Sequence, residues 1–233
     1  MQLRHVTGHS DLPFATYAGT ADAFAAAHAA QFAQIEARIA ATDATGKHPL
    51  WAGYKDQPGY HANASRRASD VRTGHATSVF YAWLAQQLAP DAIVEIGTAF
   101  GGSGMYWLTG LEIAQTGHLY AFEPNDTWSH IARANLASVS DRFTLTTGPF
   151  EDHSSVVHTP PSLGLIDAIH TPDFVRMQLE ILRGIAAPGA VVVLDDIHFS
   201  PDMKAYWRRL TRQPYVAAAW QFGARTGLIQ LAP

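Results

Sequence analysis

Short β-branched apolar runs alternate with longer stretches whose apolar residues recur at helical spacing, and this alternation predicts most of the chain's elements. The rhythm is clearest from the middle onward. Ala92 to Ile96 reads as a buried strand and Met105 to Ala114 as the helix behind it; HLYAFEP (118–124) is a second strand, WSHIARANLASVS (128–140) a helix, and FTLTTG (143–148) a third strand. LGLIDAIH (163–170) is a fourth strand, PDFVRMQLEILRGI a helix, and AVVVLDD (190–196) a fifth strand. Such β-α-β succession predicts a parallel sheet with helices on both faces and right-handed crossovers. Asp202 to Arg212 can be helical, and VAAAWQF and GLIQLA flank the turn GART, which predicts a terminal antiparallel hairpin. The expected fold class is α/β, a Rossmann-like, doubly wound, mostly parallel sheet with a C-terminal hairpin and an N-terminal helical and loop extension.

The first third of the chain is less regular. Residues 1–19 carry no clear period and read as a strap or a partly disordered segment. Residues 20–42 are alanine-rich and helical, with Thr20 or Asp22 available as a cap and Phe24, Phe32, Ile35 and Ile39 near one face. That face is expected to cover the domain or a second subunit, which makes a homo-oligomer the expected state. Residues 43–73 mix glycine, proline and polar residues with Trp51, Tyr54, Tyr60 and His61, the pattern of a long loop that serves as a lid or docks on the core. His75 to Leu88 then reads as a helix. The expected division is an extension over 1–73 and a ligand-binding domain over 74–233.

Composition narrows the function. With 233 residues, 47% of them hydrophobic, the chain can bury one sizeable core. A net charge of −4 and the lack of a lysine or arginine run argue against a nucleic-acid partner and for a small molecule. The chain has no cysteine, which removes disulfides, thiolate nucleophiles and cysteine-ligated zinc and agrees with a cytoplasmic setting. No apolar run reaches membrane-spanning length, so no membrane association is expected.

The chemistry centres on IVEIGTAFGGSG, 93–104. Gly97, Gly101, Gly102 and Gly104 permit a sharp turn and close approach of a ligand to backbone N–H groups. A dinucleotide loop would read G-x-G-x-x-G, whereas this one reads E-x-G-x-x-x-G-x-S. Glu95 would repel a pyrophosphate and suits a cation, such as the ammonium group of S-adenosylmethionine (SAM). Glu123, at the end of the second strand, is placed to accept ribose hydroxyls or is a surface acid near a helix start. Phe150 borders an adenine ring or belongs to the core. Asp167, Asp195 and Asp196 would meet at one edge of the sheet, where three carboxylates repel unless a cation lies between them. Oxygen-only ligation would suit magnesium, manganese or calcium. His170 is the expected base for a metal-bound hydroxyl, and His198 is its rival or a fourth ligand.

EIGTAFGGS (95–103), FEP (122–124), IDAIH (166–170) and LDD (194–196) together resemble the class I SAM-dependent methyltransferases over roughly residues 74–230. Within that superfamily the pattern is similar to metal-dependent small-molecule O-methyltransferases, both catechol-type and macrocin- or mycinamicin-type, and the separation of Asp167 from Asp195 agrees with their ligand spacing. The resemblance implies Glu95, Gly97, Gly101 and Ser103 around the methionine end of SAM, Glu123 on the ribose and Phe150 near the adenine, with Thr98 and Asp167 also among the cofactor-binding residues. It also implies Asp167, Asp195 and Asp196 as ligands of a divalent ion, Mg2+ being the first choice, and His170 as the base. The expected reaction is methyl transfer to a hydroxyl of a small molecule with adjacent oxygens. The competing readings are a nicotinamide-dependent oxidoreductase and a SAM-fold binding module or non-methylating catalyst.

Overall fold

The computed structural model describes residues 2–57 and 60–233. The N-terminus departs from the sequence reading. Leu3–Gly8 forms a strand, β1, in place of a loose strap, and a helix, α1, begins at Tyr17 and runs to Ala27. The expected single helix is two: α1 ends at His28, whose φ of −113° and ψ of 17° break the helical path, and α2 continues over Ala29–Asp43. Neither Thr20 nor Asp22 caps the start, because the helix has already begun a turn earlier; the Thr20 hydroxyl donates instead to the Thr16 carbonyl at 3.0 Å. Phe24, Phe32, Ile35 and Ile39 are buried inside the chain's own core.

The segment expected to be a long loop contains a two-residue ladder, β2 (His48–Pro49) with β3 (Ser65–Arg66), and one turn of helix, α3 (Ala68–Val71). Positions 58 and 59 of that segment lie outside the described residues. Beyond it the elements follow the predicted order: α4 (His75–Leu88), β4 (Ala92–Ile96), α5 (Gly102–Ala114), β5 (His118–Glu123), α6 (Asp126–Ala137) and β6 (Phe143–Thr147). After a short α7 (Phe150–His153) come β7 (Leu163–Ile166), α8 (Pro172–Ile185), β8 (Val191–Leu194), α9 (Pro201–Leu210), β9 (Val216–Phe222) and β10 (Thr226–Leu231). Among the described residues no helix is long and apolar enough to cross a membrane.

Eight of these strands form the main sheet, in the order β1-β9-β10-β8-β7-β4-β5-β6. The run from β8 to β6 is parallel and the run from β1 to β8 antiparallel. Alternation along each strand sends side chains to two separate cores. Ile93, Leu165 and Val193 pack against α4 and α5, with α1 and α2 behind them, whereas Val94, Ile166 and Val192 pack against α8 and α9. The winding reverses between β4 and β7, so the loops leaving those two strands diverge and open a crevice at their C-terminal ends.

Candidate active site

A cavity of about 470 Å³ occupies that crevice. Its floor is the loop between β4 and α5. Gly97 takes φ 90°, and a Cβ there would stand 2.1 Å from the carbonyl oxygen of Asp167, so the loops after β4 and β7 can touch only through a glycine. Gly101, at φ 85°, is the N-cap of α5 and aims the start of that helix at the crevice. Ala99 holds a left-handed φ of 49° without being glycine, and its N–H donates to Glu123 Oε2 at 2.8 Å. The Asn125 N–H donates to Glu123 Oε1 at 2.9 Å. Each carboxylate oxygen keeps a further lone pair for a ligand. Burial pushes the Glu123 carboxyl up to about 7 against these two backbone bonds.

The predicted residues separate into those that face the cavity and those that support it. Gly97, Thr98, Ser103, Glu123, Phe150, Asp167, His170, Asp195 and Asp196 all border it. Phe150 is buried with its ring edge-on to Phe122, centroids 5.1 Å apart, so it is a core residue and a cavity wall at once. Glu95 is fully buried beneath the loop. It shares a strand face with Ile93 and leans toward α5, where its Oε2 accepts a hydrogen bond from the Thr98 hydroxyl at 2.9 Å. Burial pushes its carboxyl up to about 7, partly opposed by Ser103, Thr98 and Trp107. Glu95 therefore shapes the loop from behind. His198 is exposed and faces a different depression, beside Lys204 and Arg208.

At the other end of the cavity the three aspartates come together as predicted, with a partner the sequence reading did not include. Arg225, in the turn between β9 and β10, donates from Nη2 to Asp195 Oδ2 at 2.8 Å and from Nε to Asp196 Oδ1 at 2.7 Å. The Thr226 hydroxyl donates to Asp195 Oδ1 at 3.3 Å. His170 Nε2 lies 3.7 Å from Asp167 Oδ1 and 3.6 Å from Asp196 Oδ2, and the Thr73 hydroxyl approaches Asp167 Oδ2 at 3.5 Å. Burial and the neighbouring carboxylates hold Asp167 well above the usual range, and burial lowers the His170 imidazole against the pull of Asp196 and Asp195.

These residues do not fit the expected metal centre. A guanidinium fills the space between Asp195 and Asp196, and among the described residues no group of three histidines or acids is set to share one ion. A divalent ion would need several of those oxygens free at about 2.0–2.6 Å. Arg225 could have been suspected from the sequence only through the hairpin, whose return strand carries its turn back to the C-terminal ends of β7 and β8.

The described residues between 50 and 73, among them Trp51, Tyr54, Tyr60 and Arg72, close the side of the cavity. Trp51 meets Tyr54 edge-on at 4.6 Å, and Tyr54 meets Phe174 of α8 at 5.4 Å, which docks the segment onto the domain. Phe199, 66% exposed, stands at the mouth with its ring 5.4 Å from that of His170.

Parallel strands wound outward from β4, a glycine turn at the reversal and a terminal antiparallel hairpin make up a Rossmann-like methyltransferase fold. Residues 94–197 match the family described as "Methyltransferase domain". Among solved structures it is similar to the O-methyltransferase TomG of Streptomyces achromogenes in complex with SAM, at 18% identity and TM-score 0.63 over 84% of this chain and 90% of that one. Cofactor-bound Rv0187 from MTB is 23% identical, with TM-score 0.59 over 69% of this chain and 82% of that one. An O-methyltransferase from Bacillus cereus in complex with SAH is 20% identical, with TM-score 0.57 over 84% of this chain and all (100%) of that one. No curated protein matches the sequence.

Proposed function

We propose that the protein transfers a methyl group from SAM to a hydroxyl of a small molecule in the cytoplasm, a secondary metabolite bearing adjacent oxygens. The observation that carries this reading is the continuity of one cavity from the glycine loop and Glu123 at one end to His170 at the other. Bound SAM supplies an electrophilic methyl group on a sulfonium. Thr98 and Ser103, with the backbone from Gly97 to Gly102, would hold its amino-acid end, Glu123 would accept from the ribose hydroxyls, and Phe150 would flank the base. Expected metal dependence is not part of this reading, because the aspartates are arranged around Arg225.

His170 acts as the base. Its ring is kept neutral by burial, so it can accept the hydroxyl's proton near neutral pH, and the carboxylates of Asp196 and Asp195 favour the imidazolium that results. Trp51, Tyr54 and Phe199 offer aromatic faces to a flat acceptor. Positioning both reactants in one closed crevice converts an encounter into an oriented approach, which supplies much of the acceleration. The test is a thermal melt with S-adenosylhomocysteine (SAH) against NADH, followed by labelled SAM with a panel of catechols and vicinal diols. SAH is expected to raise the melting temperature and NADH to leave it unchanged. His170→Ala should keep the SAH shift and lose turnover by a factor of about 100 or more. Stabilisation by NADH alone would overturn the assignment.

A further inference from the structure

We propose that Arg225 is a built-in cation that takes the place of a divalent ion at the acceptor end of the cavity. Its placement follows from the sheet. Gly227 of β10 pairs with Leu194 of β8, which sets the residues just before β10 opposite those just after β8. The Ile197 N–H then donates to the Arg225 carbonyl at 2.9 Å and locks the turn in place. Asp196 contributes by adopting a left-handed φ of 51°, an uncommon conformation for a residue with a Cβ.

The result is a bridge. One carboxylate oxygen of each aspartate accepts from the guanidinium, and the second oxygen faces Thr226 on Asp195 and His170 on Asp196. An incoming ion would have to displace these partners. It would also face a charge that never titrates away, since arginine stays protonated throughout the accessible pH range. Asp195 is only 3% exposed, so it depends on that charge: a buried carboxylate stripped of its partner is strongly unfavourable. A guanidinium has five donors, and the two aspartates take two of them. The remainder, on a side chain that borders the cavity beside His170, can hold an acceptor oxygen next to the hydroxyl being methylated. This gives the reaction an orienting cation without an exchangeable one.

The inference deepens the methyl-transfer reading, yet its test stands apart from it, because SAH melting reports the one and Mn2+ binding the other. The free Mn2+ signal in electron paramagnetic resonance would be followed as full-length protein is added, with and without SAH. Wild type should leave the signal undiminished, and its melting temperature should be the same in Mn2+ and in EDTA. Arg225→Ala should remove one Mn2+ per chain and melt higher when Mn2+ is present, and Asp195→Asn in that background should abolish the uptake. Should Arg225→Ala fail to fold, Arg225→Gln, which keeps the length and a donor while losing the charge, carries the same expectation. Stoichiometric Mn2+ uptake by wild type, lost in Asp167→Asn, would overturn the proposal, as would a folded Arg225 variant that takes up no ion.

Discussion

Arg72 clasps Glu36 with both arms of its guanidinium, Nη1 on Oε2 at 2.7 Å and Nη2 on Oε1 at 2.6 Å, and so fastens α2 to the segment that leads into α4. The Tyr106 hydroxyl of α5 donates to the same Oε1 at 2.6 Å. Three elements that wall the cavity are thereby joined at one carboxylate. The Arg72 bonds, ahead of the others, pull Glu36 down from 4.5 to about 2. A depressed acid stabilises the fold above its unfolded pKa and loses that contribution as pH falls through the folded one. We expect Arg72→Ala to lower stability by about 1–2 kcal/mol at pH 7, after allowance for solvent screening, and to flatten the acid limb between 4.5 and about 2. Urea denaturation across that range measures both; an acid limb as steep as wild type would show that the clasp is not what depresses Glu36.

Glu95 titrates in the opposite sense. Its folded pKa of about 7 stands above the ordinary 4.5, so the unfolded chain gives up its proton first and stability declines as pH rises between those values. Glu95→Gln keeps an acceptor for Thr98 and cannot ionise. The variant should match wild type at pH 5 and exceed it by about 1–3 kcal/mol at pH 8, with Glu123 supplying the decline that remains. Equal denaturation midpoints at pH 8 would mean that Glu95 is charged in the fold.

Gly97 is the point where the two diverging loops meet. Alanine there would combine a left-handed φ with a methyl group 2.1 Å from the Asp167 carbonyl. Gly97→Ala should cost about 2 kcal/mol or more and weaken SAH binding at least tenfold, because relief requires the floor of the cavity to part. Calorimetric titration with SAH on the folded fraction tests this; unaltered affinity would place the ligand elsewhere.

Much of the domain was legible because its signals are local. The apolar runs at Ala92–Ile96 and Leu163–Ile166, the helix at His75–Leu88 and the terminal hairpin stand where the pattern put them. What escaped depends on distant partners. β1 is short and half exposed, and its pairing with β9 joins residues more than two hundred positions apart, so no nearby period announces it. The break at His28 leaves the apolar stripe intact across two helices and is invisible to it. The direction of Glu95 was readable in principle, since strand parity sets it with Ile93 and away from the rim. Arg225 lay in a four-residue turn whose residues read only as turn formers, and the register of β10 on β8 gives it a site.

β1 also bears on the far end of the cavity. By zipping along β9 from Leu3↔Phe222 to Gly8↔Ala218, it seals the outer margin of the ribbon whose tip carries Arg225. The stiffness of that tip is thus moored to the first few residues of the chain, and loosening them would slacken the guanidinium's grip from behind while leaving every cavity-lining side chain in place.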